Sequence, residues 1–288
     1  MSDAAAETFN HMRPRLTRVA YRMLGSVADA EDVVQDAFVR FWLNADHGTV
    51  REPEAFLRRV VTRLCLDELK SARRRRLSYV GPWLPEPVIE EQEDEADDVT
   101  LPLLMALERL SPGERAAFLL HDVFGLGFDE IAQTIERSVT ACRQLASRAR
   151  TRVRASRPRH DLPRAHGLEI ARAFFTASRH GDMAALRSLL SADVTLYSDG
   201  GGKRPSATVP IIGLEAVMAG QVLLTTIYAK GFSKALRFGF INGLPGFVSV
   251  ESDGLPQTTA FAIEEGKITA MYVQRNPDKL RGVQQGLN

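Results

Sequence analysis

A glycine run bordered by an acid and a lysine stands in the C-terminal half of this 288-residue chain, at residues 199–203, DGGGK. Bare backbone N–H groups and an ammonium group are what phosphate oxygens bind. A Walker motif, however, has a glycine at the position of Tyr197 and a hydroxyl side chain at the position of Arg204, and a helix begins directly after it. The run therefore predicts a loop whose glycines allow positive φ and close backbone approach, with charged ends that pair with a neighbouring surface.

The same stretch raises the question of catalysis. Some isomerases and cyclases use an Asp with a Tyr or His in an apolar cavity for proton transfer. Tyr197 and Asp199 meet part of that requirement, but the sequence places no second acid or histidine beside them. We expect no catalytic residue, no enzyme and no cofactor here. An internal docking domain is the main interpretation, and an unidentified small ligand in the same domain is the alternative.

A basic helix is the second feature with chemistry. Residues 137–159 hold eight arginines and no acid. They follow a short apolar helix, FDEIAQTI, and a brief turn, which is the helix-turn-helix arrangement. In that arrangement the start of the second helix reaches base edges, and further arginines contact phosphates. The predicted DNA-contacting residues are Thr140, Arg143, Gln144, Ser147 and Arg148.

The N-terminal part carries two surfaces of opposite charge. Its basic side chains fall close to one face of a helix and include Arg59, Arg63, Lys70, Arg73 and Arg74. Its acidic stripe consists of Asp32, Gln35 and Asp36 at i, i+3 and i+4, with Asp29 one turn earlier. An acidic stripe beside basic helices repels DNA, so it should face a basic protein partner; a plain solvated face is the alternative.

Four segments must position these residues. Apolar stripes at helical spacing predict three helices within residues 1–76. Three more helices are predicted within residues 101–160, and the first of them begins at the Ser111-Pro112-Gly113-Glu114 capping box. Three helices and five strands, the last four of them nearly alternating, predict an α+β cone with a curved antiparallel sheet over residues 164–288. The fold class is therefore multi-domain, with two all-α modules followed by an α+β domain.

The linker between the helical modules, residues 77–100, has two parts. Its second part is an acidic run, and the whole linker carries eight acidic residues and no Lys or Arg. Its first part contains Tyr79, Val80 and Trp83, which are too apolar for a solvated tether. This part reads as an extended docking segment, with incidental packing on the nearest helix as the alternative.

Composition excludes several classes of protein. Charges are segregated into basic, acidic, basic and nearly neutral segments, which favours a nucleic-acid partner. No apolar run approaches the roughly 20 residues that a bilayer requires, and no secretory signal is visible, so we expect no membrane partner and a cytoplasmic location. The two cysteines and six histidines lack metal-ligand spacing, so we expect no metal and no disulfide.

Three stretches now support a family resemblance. DAEDVVQDAFVRFW and AFLRRVVTRLCLDELKSARRRR resemble region 2 of the extracytoplasmic-function sigma factors, and LSPGERAAFLLHDVFGLGFDEIAQTIERSVTACRQLASRARTRVR resembles their region 4. The resemblance covers residues 5–157. It implies that residues 1–76 bind core RNA polymerase through the acidic stripe and the minus-10 element through the basic helix. It also implies that residues 101–160 read the minus-35 element. Many members have an asparagine near Arg63, so base preference there is not carried over.

The remainder resembles a SnoaL-like, polyketide-cyclase-type cone, and three motifs resemble the signature of sigma factors of the J type. The motifs are WLPEP in the linker, DGGGK, and NPDKL near the C-terminus. In that group the extension is thought to regulate the sigma factor in cis. The implied interdomain residues are Trp83, Pro85, Asp199, Gly200, Gly201, Gly202, Lys203, Asn276, Pro277, Asp278 and Lys279.

We therefore predict an alternative sigma factor, monomeric when free, that binds core RNA polymerase and promoter DNA under control of its own cone. The glycine loop is expected to face the first module or the WLPEP linker. Two other classes stay open: a one-component DNA-binding regulator that senses a small ligand in the cone, and a cyclase or isomerase fused to a DNA-binding part.

Overall fold

The structure is a computed structural model that describes residues 2–45, 52–77, 79–90, 100–154, 162–228 and 233–285. The chain forms two compact units. The first contains residues 1–77 and 103–156, and the second contains residues 78–102 and 157–288. The division therefore places the linker with the C-terminal domain.

Helices alone build the described part of the first unit. They are α1 (Ser2–Leu24), α2 (Val27–Ala45), α3 (Pro53–Leu77), α4 (Leu101–Glu108), α5 (Pro112–Phe118), α6 (Phe128–Ile135) and α7 (Val139–Arg154). The apolar stripes of α1, α2 and α3 pack together through residues such as Leu16, Val34 and Val61, all of which are buried. Between residues 101 and 154 the sequence indicated three helices, and the structure adds α4 as a fourth.

Local sequence explains where the helices of the second module begin and end. Ser111 Oγ accepts from the backbone N–H of Glu114, and the Glu114 carboxylate accepts from the backbone N–H of Ser111, so the predicted capping box forms. Leu119–Val123 continues α5 as a π-helical turn, and Gly125 ends it with φ of 71°. Glu136, with φ of 55°, makes the left-handed turn between α6 and α7.

The second unit packs helices α8 (Arg164–His180), α9 (Met183–Leu189) and α10 (Leu214–Tyr228) on a six-stranded sheet. The strands are β1 (Leu190–Asp199), β2 (Ile211–Ile212), β3 (Lys234–Ile241), β4 (Leu244–Val250), β5 (Pro256–Glu264) and β6 (Lys267–Gln274), in the order β2-β1-β6-β5-β4-β3. A 3-10 turn (Pro277–Leu280) and α11 (Arg281–Gln285) follow. Phe174, Phe247 and Phe261 are central to its core.

One expectation about this sheet is wrong: it is mixed rather than antiparallel. Strand β1 pairs with β6 in parallel, with Tyr197 opposite Tyr272 and Asp199 opposite Gln274. Parallel neighbours need a long crossover connection, and the chain between these strands, which includes α10 and the other four strands of the sheet, provides one. The parallel pair brings the chain segments that follow β1 and β6 to the same end of the sheet.

The first part of the linker is held along the sheet. Asn242 donates its backbone N–H to Val88 O (2.9 Å), Glu90 donates to Phe240 O (3.0 Å), and Ile89 forms a β-bridge with Ile241. Farther along, Leu101 donates its backbone N–H to Asn242 O (2.9 Å). Glu90 and Leu101 are therefore both bonded to the chain at the turn between β3 and β4.

Candidate functional site

The acidic stripe of α2 is open to solvent. Asp32, Gln35 and Asp36 are exposed, and Asp29 is half-buried and donates its backbone N–H to Ser26 Oγ (3.2 Å). The opposite face of α2 carries Val33, Val34 and Ala37, which are buried. The stripe is therefore presented by a helix whose rotation is fixed by its core face.

The basic helix α3 contacts the helix-turn-helix. Arg63 Nε donates to Thr134 O (3.1 Å), and its Nη2 donates to Gln133 O (3.1 Å) and lies 2.9 Å from the carboxylate of Glu136. Arg58 Nη2 lies 2.6 Å from Glu130 Oε1. Arg63, predicted to contact the minus-10 element, therefore has intramolecular partners at the end of α6 and the turn before α7.

The remaining predicted minus-10 residues lie on the same helix with different surroundings. Lys70 is exposed and pairs with Asp67 one turn earlier (2.7 Å), while Arg59 is half-buried. Arg73 and Arg74 are within the backbone of α3, but their side chains lie outside the part of the structure that is described.

The predicted reading face of α7 is exposed at Thr140, Arg143, Gln144 and Ser147, because the opposite face packs Cys142 and Ala146 inside. The Arg143 guanidinium lies over the Phe128 ring, 5.7 Å from its centroid. The four residues thus share one surface at the N-terminal half of the second helix of the motif.

Arg148 and Arg152 are held by a carboxylate that sequence reasoning did not connect with them. Arg148 Nε lies 3.0 Å from Glu114 Oε1, and Arg152 Nη1 lies 2.8 Å from Glu114 Oε2. Burial of Glu114 opposes its ionisation, but the hydrogen bonds from Ser111 and the two arginines outweigh it and lower the pKa of this carboxyl. One acid therefore caps α5 and fastens α7 to it.

The J-type motifs meet around one buried carboxylate, that of Asp199, whose exposed fraction is 0%. Asp199 Oδ1 accepts from Tyr79 Oη (2.6 Å), and Oδ2 accepts from the Leu84 backbone N–H (2.9 Å) and Lys279 Nζ (2.8 Å). Gln274 Nε2 is 3.3 Å from Oδ2. We call these residues, with Trp83 and Asn276, the Asp199 cluster.

Lys279 joins the three motifs. Its ammonium, whose side chain is 9% exposed, also donates to Leu84 O (2.6 Å) and lies over the rings of Trp83 and Tyr79, 4.1 and 4.8 Å from their centroids. A buried charge is retained where its partner and its hydrogen bonds are complete, and Lys279 has both. The cationic centre therefore holds the linker by charge, by hydrogen bonding and by cation-π contact.

Tyr79 and Asn276 complete the cluster. Asn276 Nδ2 donates to Tyr79 Oη (2.8 Å), and Asn276 Oδ1 accepts from the backbone N–H of Asp278 (3.0 Å), which caps the 3-10 turn. Burial and the neighbouring Asp199 carboxylate raise the pKa of Tyr79 far above its ordinary value. Tyr79 is therefore a neutral phenol that donates to Asp199 throughout the physiological pH range.

The glycines of the loop leave room for this cluster. A Cβ on Gly200 would lie 2.1 Å from Arg204 O, and one on Gly201, with φ of 61°, would lie 2.2 Å from Asn276 Nδ2. A Cβ on Gly202 would press against Val80 of the linker at 3.3 Å. At the loop end, Lys203 pairs with Asp278 and lowers the pKa of that carboxyl. The run allows close approach, not phosphate binding.

The structure also separates the two groups that suggested catalysis. Tyr197 stacks on Tyr272 with ring centroids 5.3 Å apart, whereas the Asp199 carboxylate is fully occupied by the linker and Lys279. Within the described ranges, no group of three or more His, Cys, Asp or Glu side chains could hold a metal ion. No described helix is long and apolar enough to span a membrane.

Sequence reasoning brought WLPEP, DGGGK and NPDKL forward but missed several of their partners. Pro85 is buried and Pro277 opens the 3-10 turn. Tyr79 was predicted to belong to a docking segment but without its partner, and Gln274 and Asn242 were not assigned a role. Asn242 Oδ1 accepts from the Val88 backbone N–H (3.1 Å). The Asn242-Gly243 pair is a hairpin signal that could have located this turn, but nothing in the sequence links it with the linker.

Comparisons with known proteins define the class. Residues 8–75 match the model for Sigma-70 region 2, and residues 100–153 match the model for Sigma-70, region 4. The chain is 38% identical to the ECF RNA polymerase sigma factor SigJ of Mycobacterium tuberculosis, over 95% of this chain and 92% of that protein. It belongs to the extracytoplasmic function (ECF) RNA polymerase sigma factors, and it is an alternative sigma factor.

Relatives with the same length support the whole architecture. The chain is 34% identical to the probable ECF sigma factor SigI of Mycobacterium tuberculosis, over 96% of this chain and 95% of the relative. The crystal structure of Mycobacterium tuberculosis SigJ superimposes with a TM-score of 0.75 and 34% identity, covering 96% of this chain and 98% of that one. The predicted fold class, two helical sigma modules followed by an α+β domain, is confirmed with the mixed sheet as its correction.

Proposed function

We propose that the C-terminal domain regulates this sigma factor in cis by holding the linker, which must leave the cone before the two helical modules can span a promoter. The observation that carries the proposal is the Asp199 cluster, where a buried Asp-Lys pair binds both side chains and backbone of residues 79–84. Removing one member of such a network leaves a buried charge unpaired, which is costly, so the contact forms and breaks as a unit.

Length supports the same mechanism. The linker of 24 residues reaches about 80 Å when extended at about 3.3 Å per residue. The two promoter elements recognised by this class lie about two DNA turns apart, or about 70 Å at about 34 Å per turn. With residues 79–90 held on the cone and Leu101 bonded to Asn242, most of that length is not free to extend. Release of the linker from the cone therefore determines how often one chain contacts both promoter elements.

Run-off transcription tests the regulatory proposal in the full-length protein. Holoenzyme would be reconstituted with wild type, Asp199→Asn or Lys279→Met, on a promoter selected from genomic fragments by the wild-type holoenzyme. We expect at least about a threefold higher yield with either substitution, because the linker is released. Asp193→Asn, an exposed acid of the same strand, is the matched control. Yields equal to or below wild type would reject control by the linker.

The surface roles are proposed residue by residue. Asp29, Asp32, Gln35 and Asp36 bind core polymerase, Arg59, Arg63, Lys70, Arg73 and Arg74 engage the minus-10 strand, and Thr140, Arg143, Gln144, Ser147 and Arg148 read the minus-35 element. Asp32→Arg/Asp36→Arg should abolish capture of core polymerase. Glu31→Arg, an exposed acid next to the stripe, should leave capture intact. Retention of core by the double variant would refute the assignment of the stripe.

The remaining proposals concern the state of the free protein. We propose that it is a monomer in the cytoplasm, that the cone performs no catalysis, and that the cone can bind a small ligand. The occupied state of Asp199 supports the absence of catalysis, since this carboxylate has no free position for a substrate proton. Light scattering of the purified chain checks the monomer: a mass near 31.9 kDa is expected, and a doubled mass would contradict it.

A further inference from the structure

A cavity of about 380 Å³ lies inside the cone, between the sheet and helices α8 and α10. Its volume is within the roughly 300–1,000 Å³ range of small-molecule sites. The apolar part of its wall includes Phe174, Leu196, Leu224, Phe247 and Met271. A wall of this kind favours burial of an apolar ligand surface.

The closest charged pair in the wall is complete. Arg179 Nη2 lies 2.8 Å from Glu251 Oε1, and the hydroxyls of Ser249 and Ser233 donate to the same carboxylate (2.6 and 2.9 Å). Arg275 donates to Pro205 O and lies 3.9 Å from Asp253, whose carboxylate pairs more closely with Arg204 (2.6 Å). An ionised ligand would lose its hydration on entry into a largely apolar wall, which favours neutral molecules.

Two neutral polar side chains in the wall have no such partners. Ser198 of β1 and Gln221 of α10 are only 7% and 4% exposed, and no side-chain hydrogen bond to either exists among the residues described for the cone. The polar atoms of both side chains stay accessible in the cavity. A ligand oxygen could bond to both groups, which gives the cavity a polar point inside an apolar wall.

We infer that this cavity binds a neutral, largely apolar small molecule with at least one hydroxyl or carbonyl oxygen, held by Ser198 and Gln221. The inference gives a chemical class to the ligand proposed above. An effect of this ligand on transcription rests on the proposed control by the linker, whereas binding of the ligand in the cavity is independent of that proposal.

The position of Ser198 explains how an occupied cavity is sensed. Successive residues of a strand point to opposite faces, so Ser198 faces the cavity while Asp199 holds the linker. Beyond Asp199, Gly200 donates its backbone N–H to Ser206 Oγ (3.1 Å), and Ser206 lines the cavity. Arg275 also lines it and donates its backbone N–H to Asp199 O (2.7 Å). The loop that borders the ligand therefore also borders the Asp199 cluster.

Fluorescent probes test the binding in full-length protein. Prodan is neutral, aromatic and carries one carbonyl, and anilinonaphthalene sulfonate is an anionic probe of similar size. We expect saturable Prodan binding at one site per chain, at least about tenfold tighter than the anionic probe. Gln221→Leu should weaken Prodan binding about tenfold, since a lost hydrogen bond to a buried group is worth about 1–1.5 kcal/mol.

A second pair of variants separates loss of the cavity from loss of the fold. A Cβ on Gly220 of α10 meets no atom within 4 Å, and Gly220 borders the cavity, so Gly220→Leu should fill it and abolish binding in a folded chain. Ala219→Leu, at an exposed position of the same helix, should bind as wild type. Absent Prodan binding in wild type, equal binding of the anionic probe, or unchanged binding in both Gln221→Leu and Gly220→Leu would overturn the assignment.

Trp83 reports the sensing step. In Trp42→Phe, which leaves Trp83 as the single tryptophan, Prodan saturation should shift the Trp83 emission, measured with excitation that is corrected for the probe. Binding without a change at Trp83 overturns the coupling but leaves the site and the proposed linker control standing. Binding with a change at Trp83 but unaltered transcription in Asp199→Asn would instead reject the linker control.

Discussion

Two contacts in this protein, one at the linker and one between α3 and the helix-turn-helix, are built from opposite chemistry. The Asp199 cluster holds the linker with a carboxylate and an ammonium whose side chains are 0% and 9% exposed. The contact between α3 and the helix-turn-helix relies on Arg63 and Glu136, whose side chains are 44% and 74% exposed, and on the less exposed Arg58-Glu130 pair. Exposed pairs contribute about 0–1 kcal/mol, whereas breaking a buried pair costs about 3–5 kcal/mol.

The difference indicates an order of events. The exposed ion pairs between α3 and the helix-turn-helix are open to competition from salt and water, whereas the buried Arg115 of α5 also joins the two modules by donating to Met23 O (2.6 Å). The linker separates only when several buried bonds break together. The contrast is consistent with the proposal that the regulated step lies at the linker.

The largest effect is expected for the buried pair. Asp199→Asn leaves the Lys279 ammonium without its countercharge, so release of residues 79–84 should become easier by about 3–5 kcal/mol. Hydrogen exchange measures this at the Leu84 amide, which donates to Asp199, and its protection should fall by at least about 100-fold. Equal protection in Asp199→Asn and in the Asp193→Asn control would mean that the cluster does not hold the linker.

A smaller effect is expected for the loop. Gly200→Ala drives a methyl group into the carbonyl of Arg204 at 2.1 Å, and overpacking of this kind costs about 1–3 kcal/mol. The measurement is the chemical unfolding of the cone, with Gly220→Ala as a control that should gain up to about 1 kcal/mol from helix propensity. A Gly200→Ala variant as stable as wild type would show that the loop has room to move.

Glu114 gives an intermediate case with a defined pH dependence. Its folded pKa is below the ordinary value of 4.5, so its ionised form stabilises the fold. The stabilisation is complete above about pH 4.5 and is lost as the pH falls through the lowered folded pKa. Glu114→Gln should therefore cost about 1–2 kcal/mol at neutral pH and less near pH 3. A cost that is constant across this range would exclude the charge as its cause.

The smallest effect is expected for the exposed pair. Glu136→Gln removes the partner of Arg63 and should change stability by less than about 1 kcal/mol. It should nevertheless increase the distance between fluorophores placed on α3 and α7 at low salt. Near 1 M salt, where screening acts within about 3 Å, wild type and variant should give the same distance. A large loss of stability would show that the Arg63–Glu136 contact is energetically similar to the buried Asp199–Lys279 pair, and the difference between the two contacts would disappear.

Much of the site was visible in the sequence because it depends on local patterns. The Ser111 box, the left-handed turn before α7 and the apolar face of α2 each follow from residues a few positions apart, and they fix which side chains of α2 and α7 are exposed. The DGGGK, WLPEP and NPDKL motifs were recognised as related, but their partners were not. Asp199 and Lys279, for example, are 80 positions apart and meet because β1 and β6 run side by side in parallel.

The sequence by itself determined the helical modules, their polar faces and the membership of the chain in its family, because periodicity, caps and motifs act over short distances. Only the tertiary structure decided that β1 and β6 are parallel, that Asp199 and Lys279 are buried together, and that Glu114 fastens Arg148 and Arg152. Burial and pairing of charges depend on which distant segments share a face, and no spacing along the chain specifies that.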